Sequence, residues 1–228
     1  MMKKSFFTVV FLAFLSMSGI SKAQSIASYD IENARAQNYG LWTNKYSGLI
    51  TPAKTSGLFN YTGGSGTLND GIVPNGIENT QMIIGTDNPV ITLHLSEKST
   101  IKELNFYSML YTGNYSAGNL KSATISYGGK SVTVDAFNWG PTCSNPHAVF
   151  CNNKLDLSNT ILNGVETDTI IISNFLTKSN YSPYYSIGEI SLNGSLVSPV
   201  PEPGIYGMIL AGLALIYLNA RKKRKKAV

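Results

Sequence analysis

The feature that most constrains this chain is a periodicity. Between residues 24 and 198 no stretch sustains a helical repeat over three turns, whereas short apolar runs alternate with polar residues. Successive side chains of a β-strand point to opposite faces, so a period of two marks strands with one buried face. In Val90-Ile91-Thr92-Leu93-His94-Leu95 this sets Ile91, Leu93 and Leu95 on one face and Thr92 and His94 on the other. Leu104, Phe106, Ser108 and Leu110 share a face in the next run. Ala123 to Tyr127, then Gly128-Gly129, then Ser131 to Val134 predicts a hairpin closed by a short glycine turn. Thr169 to Phe175 and Ser186 to Leu192 read as two further strands. Short strands with turn residues between them predict an all-β domain over residues 24–198, an antiparallel sandwich or jelly roll.

Both ends break this pattern. Lys3 and Lys4 precede an apolar run from Phe6 to Leu15, and Ser21-Lys22-Ala23 places small residues at the −3 and −1 positions of a cleavage site before Gln24. Residues 1–23 therefore read as a secretory signal peptide, a substrate of signal peptidase, because the apolar run is short for a bilayer span. At the other end, residues 199–228 hold Pro201-Glu202-Pro203, an apolar segment, and the cluster Arg221-Lys222-Lys223-Arg224-Lys225-Lys226. Residues 204–220 as a helix would extend about 25 Å, the short end of a transmembrane span. Six cations directly after it predict a cytoplasmic C-terminus, with the body on the opposite side of the membrane. The prolines cannot continue a helix upstream and keep that stretch extended.

Locating the charge also excludes a function class. The formal charge of the 228 residues is +5, yet half of the basic residues lie in the two end segments. From residue 24 to 200, nine Lys or Arg face twelve Asp or Glu, a balance of about −3. The body thus offers no basic stripe to neutralise a phosphate backbone, and nucleic acid is not an expected partner.

Pro-Glu-Pro followed by an apolar helix and a terminal basic cluster resembles the PEP-CTERM sorting domain of Gram-negative bacteria. The resemblance covers about 28 residues from Val200 onward. It implies that an exosortase, an integral membrane protease with its own Cys nucleophile, reads Pro201, Glu202 and Pro203 and cuts near them. The chain would then be an exported protein, transiently anchored in the inner membrane and afterwards placed at the cell surface or outside the cell. By association, PEP-CTERM systems accompany exopolysaccharide production, which implies a role in extracellular matrix or biofilm.

A second resemblance lies in the body. Leu68-Asn69-Asp70-Gly71-Ile72, then Ile91 to Leu95, then Ser99 to Leu104, and finally Ile187-Gly188-Glu189-Ile190-Ser191-Leu192-Asn193-Gly194 are similar to the galactose-binding-like, discoidin-type β-sandwich. The usual Trp after the Asp-Gly loop is missing, since Val73-Pro74-Asn75-Gly76 stands there. The resemblance implies the fold, and not a ligand, because one fold hosts many functions. It also implies a structural calcium in a loop of this kind. Asp70 is the one carboxylate candidate, and an Asx-type turn is the plainer role for Asn69-Asp70-Gly71.

Few residues point to chemistry, and no catalytic residue is expected. His94 alternates onto a polar strand face, an ordinary place for histidine. Gly63-Gly64-Ser65-Gly66 lacks the last glycine of a nucleophile elbow, since Thr67 stands there, and reads as a flexible loop. Glu166 and Asp168 lie two apart, as the carboxylates of an envelope hydrolase would. General acid work, however, needs one of them buried. Cys143-x3-His147-x3-Cys151 has zinc-type ligands but no fourth, and in an oxidising compartment Cys143 and Cys151 most simply form a disulfide. Eleven tyrosines and two tryptophans in the body offer flat rings with polar neighbours. Most are expected to fill strands and core, since Tyr is a good strand former. Trp42, Trp139 and Tyr184 are the candidate ligand contacts, stacking on a sugar ring.

Together these readings predict a non-enzymatic surface or matrix protein sorted through its tail. The alternatives are a carbohydrate-binding module with a defined glycan pocket and an envelope hydrolase.

Overall fold

The alternation over residues 90–110 forms one strand rather than two. The structure, a computed structural model, describes residues 25–73, 79–110, 120–136, 149–177, 183–196 and 212–213. Its strands are β1 (Ile26–Ala34), β2 (Asn38–Tyr39), β3 (Trp42–Thr43), β4 (Leu49–Pro52), β5 (Phe59–Gly64), β6 (Gln81–Ile84), β7 (Val90–Leu110), β8 (Leu120–Tyr127), β9 (Lys130–Asp135), β10 (Val149–Asp156), β11 (Glu166–Thr177) and β12 (Tyr184–Leu196). Every pairing among the described strands is antiparallel.

Strand β7 organises the domain because its two halves have different neighbours. Residues 90–95 lie between β1 and β11, within the order β4-β5-β1-β7-β11-β8-β9. Residues 103–108 lie between β10 and β12, Ser99 and Thr100 lie between β11 and β12, and β12 pairs in turn with β6. The change of partner falls at Ser96-Glu97-Lys98, where β1 ends opposite Leu95 and β12 begins opposite Ser99. This polar run is an irregular stretch that carries one strand from one layer to the other.

The two layers enclose one core in a sandwich-like arrangement. Ile91 and Leu93 from the first half of β7 belong to the same buried cluster as Leu104 and Phe106 from the second half, with Ile125, Ile172, Ile187 and Ile190 from other strands. Leu95 is buried as well, and Thr92 and His94 face outward, as the alternation requires. The predicted hairpin is present. Gly128 and Gly129 adopt φ of +57° and +73°, the left-handed pair that a two-residue turn with this twist demands.

Tyrosines fill much of the interior, as expected. Tyr29, Tyr61 and Tyr185 are buried, and the Tyr46 ring sits 5.0 Å from Tyr29 and 5.1 Å from Tyr61. The Tyr46 hydroxyl donates to the Tyr29 carbonyl at 2.7 Å and accepts from the Gly64 amide at 2.8 Å. This contact corrects the reading of Gly63 to Gly66 as a flexible loop. Gly63 and Gly64 end β5, and Gly66 bridges to Tyr46. A Cβ on Gly66 would stand 1.7 Å from the Lys45 carbonyl oxygen, so the glycines serve close approach of two backbones.

The chain divides into two compact units, Met1–Val197 and Ser198–Val228. Gly212 and Leu213, the described residues of the second unit, are helical. The expected signal peptide, the motif Pro201-Glu202-Pro203, the basic cluster from Arg221 to Lys226 and the rest of the 204–220 segment lie outside the described residues. Among the described residues no helix is long and apolar enough to cross a membrane.

Candidate functional site

Two of the three nominated aromatic residues share a surface. Strands β2 and β3 form a small hairpin in which Tyr39 pairs with Trp42, placing both rings near one another. In β12, Tyr184 lies opposite Ile84 and Ser186 opposite Met82, so alternation sets these four on one face of the β6–β12 pair. Tyr39, Trp42 and Tyr184 all pack, half-buried, against Met82 and Ile84. Residues far apart in the sequence thus build one aromatic surface with an apolar floor. Trp139, the third candidate, lies outside the described residues.

A charged pair stands beside this surface. The Arg35 guanidinium lies 5.3 Å from the Tyr39 ring centroid and donates from Nε and Nη2 to the two Asp87 carboxylate oxygens, at 2.8 and 3.0 Å. Asp87 comes from the 3-10 turn Gly85–Asp87 that follows β6. The two-pronged bond fixes the guanidinium plane and leaves its face on the ring. Two further polar atoms lie near the aromatic face. Trp42 Nε1 and Ser186 Oγ are buried and have no hydrogen-bond partner among the described residues. Both atoms are enclosed by protein, Ser186 completely so, and they lie beneath the aromatic surface rather than on it.

The acidic loop behaves differently from its sequence reading. Asp70 Oδ1 accepts from the Ile72 amide at 2.9 Å, the expected Asx-type turn. Glu189 on β12, 6% exposed, accepts from the Gly71 amide at 3.2 Å and lies against Asp70. Burial, with the Asp70 charge added, pushes the Glu189 carboxyl up to about 8 against the pull of the Gly71 amide. Two carboxylates meet here, and no group of three His, Cys, Asp or Glu side chains that would hold a metal occurs among the described residues. In the sequence Glu189 stands only within a strand pattern. Nothing local signals that it is buried against Asp70.

The other titratable candidates are accounted for by ordinary contacts. His94 Nε2 lies 2.9 Å from Asp30 Oδ2, and Asp30 also accepts from the Gly63 amide at 2.6 Å. Glu166 and Asp168 stand on β11 rather than in a loop, both exposed, with Thr167 between them turned inward. Glu166 pairs with Lys98 at 3.3 Å, and Asp168 accepts the Thr169 hydroxyl at 3.2 Å. Their exposure withholds the burial that general acid catalysis needs. Cys143, His147 and the Cys151 side chain lie outside the described residues, and with them the expected disulfide.

No protein-family model matches this sequence, and no curated protein matches it. Solved structures with similarity include a family 32 carbohydrate-binding module of C. perfringens in complex with galactose, at 14% identity and a TM-score of 0.35, covering 55% of this chain and 81% of that one. A second Clostridium perfringens module of that family, in complex with GalNAc-β-1,3-galactose, gives 13% identity and 0.38 over 72% of this chain and 93% of that one. The C-terminal domain of a chitobiase from Bacteroides fragilis gives 13% and 0.39 over 78% and 97%. At these identities and scores the likeness transfers no ligand, and the all-β, sandwich-like fold rests on the strand pairing itself.

Proposed function

We propose that the body of this chain is a non-catalytic glycan-binding β-sandwich, exported and held at the envelope through its C-terminal tail until an exosortase releases it. The observation that carries the binding reading is the convergence of Tyr39, Trp42 and Tyr184 over Met82 and Ile84, with the Arg35–Asp87 pair alongside. Aromatic faces cover the C–H face of a pyranose, while the guanidinium and the carboxylate of the Arg35–Asp87 pair reach its hydroxyls. The tail reading rests on the order of Pro201-Glu202-Pro203, apolar segment and basic cluster in the sequence. A body without a defined pocket would serve the matrix as scaffold only, and binding measurements separate the two.

Galactose and GalNAc, held by two of the similar structures, are the first probes. In a titration followed by intrinsic tryptophan fluorescence, saturable binding is expected in the wild type. Trp42→Ala is expected to weaken it roughly tenfold or more while the far-UV circular dichroism is unchanged. Equal affinity of Trp42→Ala and wild type for every sugar that binds overturns the assignment of the aromatic surface.

A further inference from the structure

At the opposite end of β11 from the aromatic cluster lies a groove of about 690 Å³, within the size range of small-ligand sites. Its lining includes Lys98, Lys130, Ser131, Glu166, Asp168 and Ile171. Three local features build it. First, Thr167 pairs with Ser99 whereas Thr169 pairs with His94, so β7 carries extra residues here and swings Lys98 out toward Glu166. Such bulges re-aim side chains at strand ends and near binding sites. Second, Thr167 turns inward and its hydroxyl donates to the Thr169 carbonyl at 2.5 Å, which leaves Glu166 and Asp168 on the groove side. Third, Gly128 closes the β8–β9 turn so tightly that a Cβ there would come 2.5 Å from Val165 Cγ1, which fixes one wall.

We propose that this groove is a second glycan site, one that takes a neutral pyranose unit of a polysaccharide. Two ammonium groups and two carboxylates sum to no net charge. A uronate entering would face Glu166 and Asp168, and a cationic ligand would face Lys98 and Lys130. A neutral polyol is the ligand that uses both signs, since each hydroxyl donates to a carboxylate and accepts from an ammonium group. Ile171, 40% exposed in the lining, supplies an apolar contact for the C–H face of the ring. The existing contacts are exchangeable. The Lys98–Glu166 pair is solvent-exposed at 3.3 Å, Lys130 Nζ reaches the Ile161 carbonyl at 3.3 Å, and Asp168 holds only the Thr169 hydroxyl among the described residues.

The position of the groove gives it a consequence. Strand β11 starts at Glu166 beside the groove. Its far end reaches the turn that carries Asp87, where a Cβ on Gly85 would meet the Phe175 carbonyl oxygen at 2.7 Å. At about 3.3 Å per residue, Phe175 lies four steps, roughly 13 Å, beyond Ile171 at the near edge of the groove and nine steps, roughly 30 Å, beyond Glu166 at its far edge. One sugar unit cannot fill both, so the two sites would hold different units of a polysaccharide and gain avidity on a chain or cross-link two chains.

The groove does not depend on the aromatic cluster, and one experiment treats each separately. Full-length protein in detergent micelles is passed over immobilised neutral galactomannan and over polygalacturonate in biolayer interferometry. Wild type is expected to be retained on galactomannan, and Asp168→Ala and Lys130→Ala to dissociate roughly tenfold faster. In a Trp42→Ala background, residual retention is expected to remain and to vanish when Asp168→Ala is added. Loss with Asp168→Ala but not with Trp42→Ala keeps the groove and removes the aromatic site. Unchanged dissociation of Asp168→Ala and Lys130→Ala, no retention of wild type, or preference for polygalacturonate overturns the proposal.

Discussion

Glu189 is expected to make stability fall as pH rises, and Glu189→Gln isolates the effect. The carboxyl is buried beside Asp70, and its pKa in the fold is pushed up to about 8. In the unfolded chain a glutamate titrates near ~4.3. Between those values the folded state binds more protons than the unfolded state, so stability is full below about pH 4, declines through the interval and is lowest above about pH 8. The gap sets a ceiling of about 5 kcal/mol at roughly 1.4 kcal/mol per pH unit. Water reaching the carboxyl reduces this, and the expected loss is about 2–3 kcal/mol. Glutamine keeps an acceptor for the Gly71 amide, 3.2 Å away in the wild type, and cannot ionise. The assay is urea unfolding of both proteins in EDTA between pH 5 and 9, read by near-ultraviolet circular dichroism. The Gln variant is expected to gain on the wild type by about 2–3 kcal/mol across that range, or roughly 5–10 °C in Tm for a domain of this size. Taking the difference removes every other titrating group. Parallel pH profiles of the two proteins refute the reasoning, because a carboxyl that ionises alike in both states cannot produce a slope.

Three further outcomes follow from single positions. Gly66→Ala is expected to cost more than about 3 kcal/mol in urea unfolding, since its Cβ would stand 1.7 Å from backbone, and a loss below about 1 kcal/mol would show that strand free to move. Non-reduced protein recovered from the envelope should take up no thiol label at Cys143 or Cys151, whereas two labelled cysteines would return the Cys-His-Cys spacing to a metal reading. Intact mass of that protein is expected to show a chain that begins at Gln24 and ends near Pro201 to Pro203. Glu202→Ala should retain the chain through Val228, and normal trimming of that variant would remove the sorting motif from the account.

The sequence determined what local chemistry can determine. Alternation assigned the buried residues Ile91, Leu93 and Leu95, and two adjacent glycines fixed the hairpin at Gly128-Gly129, because strand faces and tight turns follow from neighbours a few residues away. The order of Pro201-Glu202-Pro203, apolar segment and basic cluster is likewise written in nearly consecutive residues. Tertiary structure decided the rest. Ser96-Glu97-Lys98 is polar enough to end a strand, yet β7 passes through it because β12 takes over where β1 stops. Gly66 looked flexible until the Lys45 backbone came against it. Trp42 and Tyr184 were two rings among many tyrosines, and only the pairing of β6 with β12 puts Tyr184 on the face that Trp42 covers. Glu189 read as a strand residue, and the desolvation that raises its pKa exists only where Asp70 and Gly71 fold over it. Burial and convergence are sums over distant segments, so no window of the sequence contains them.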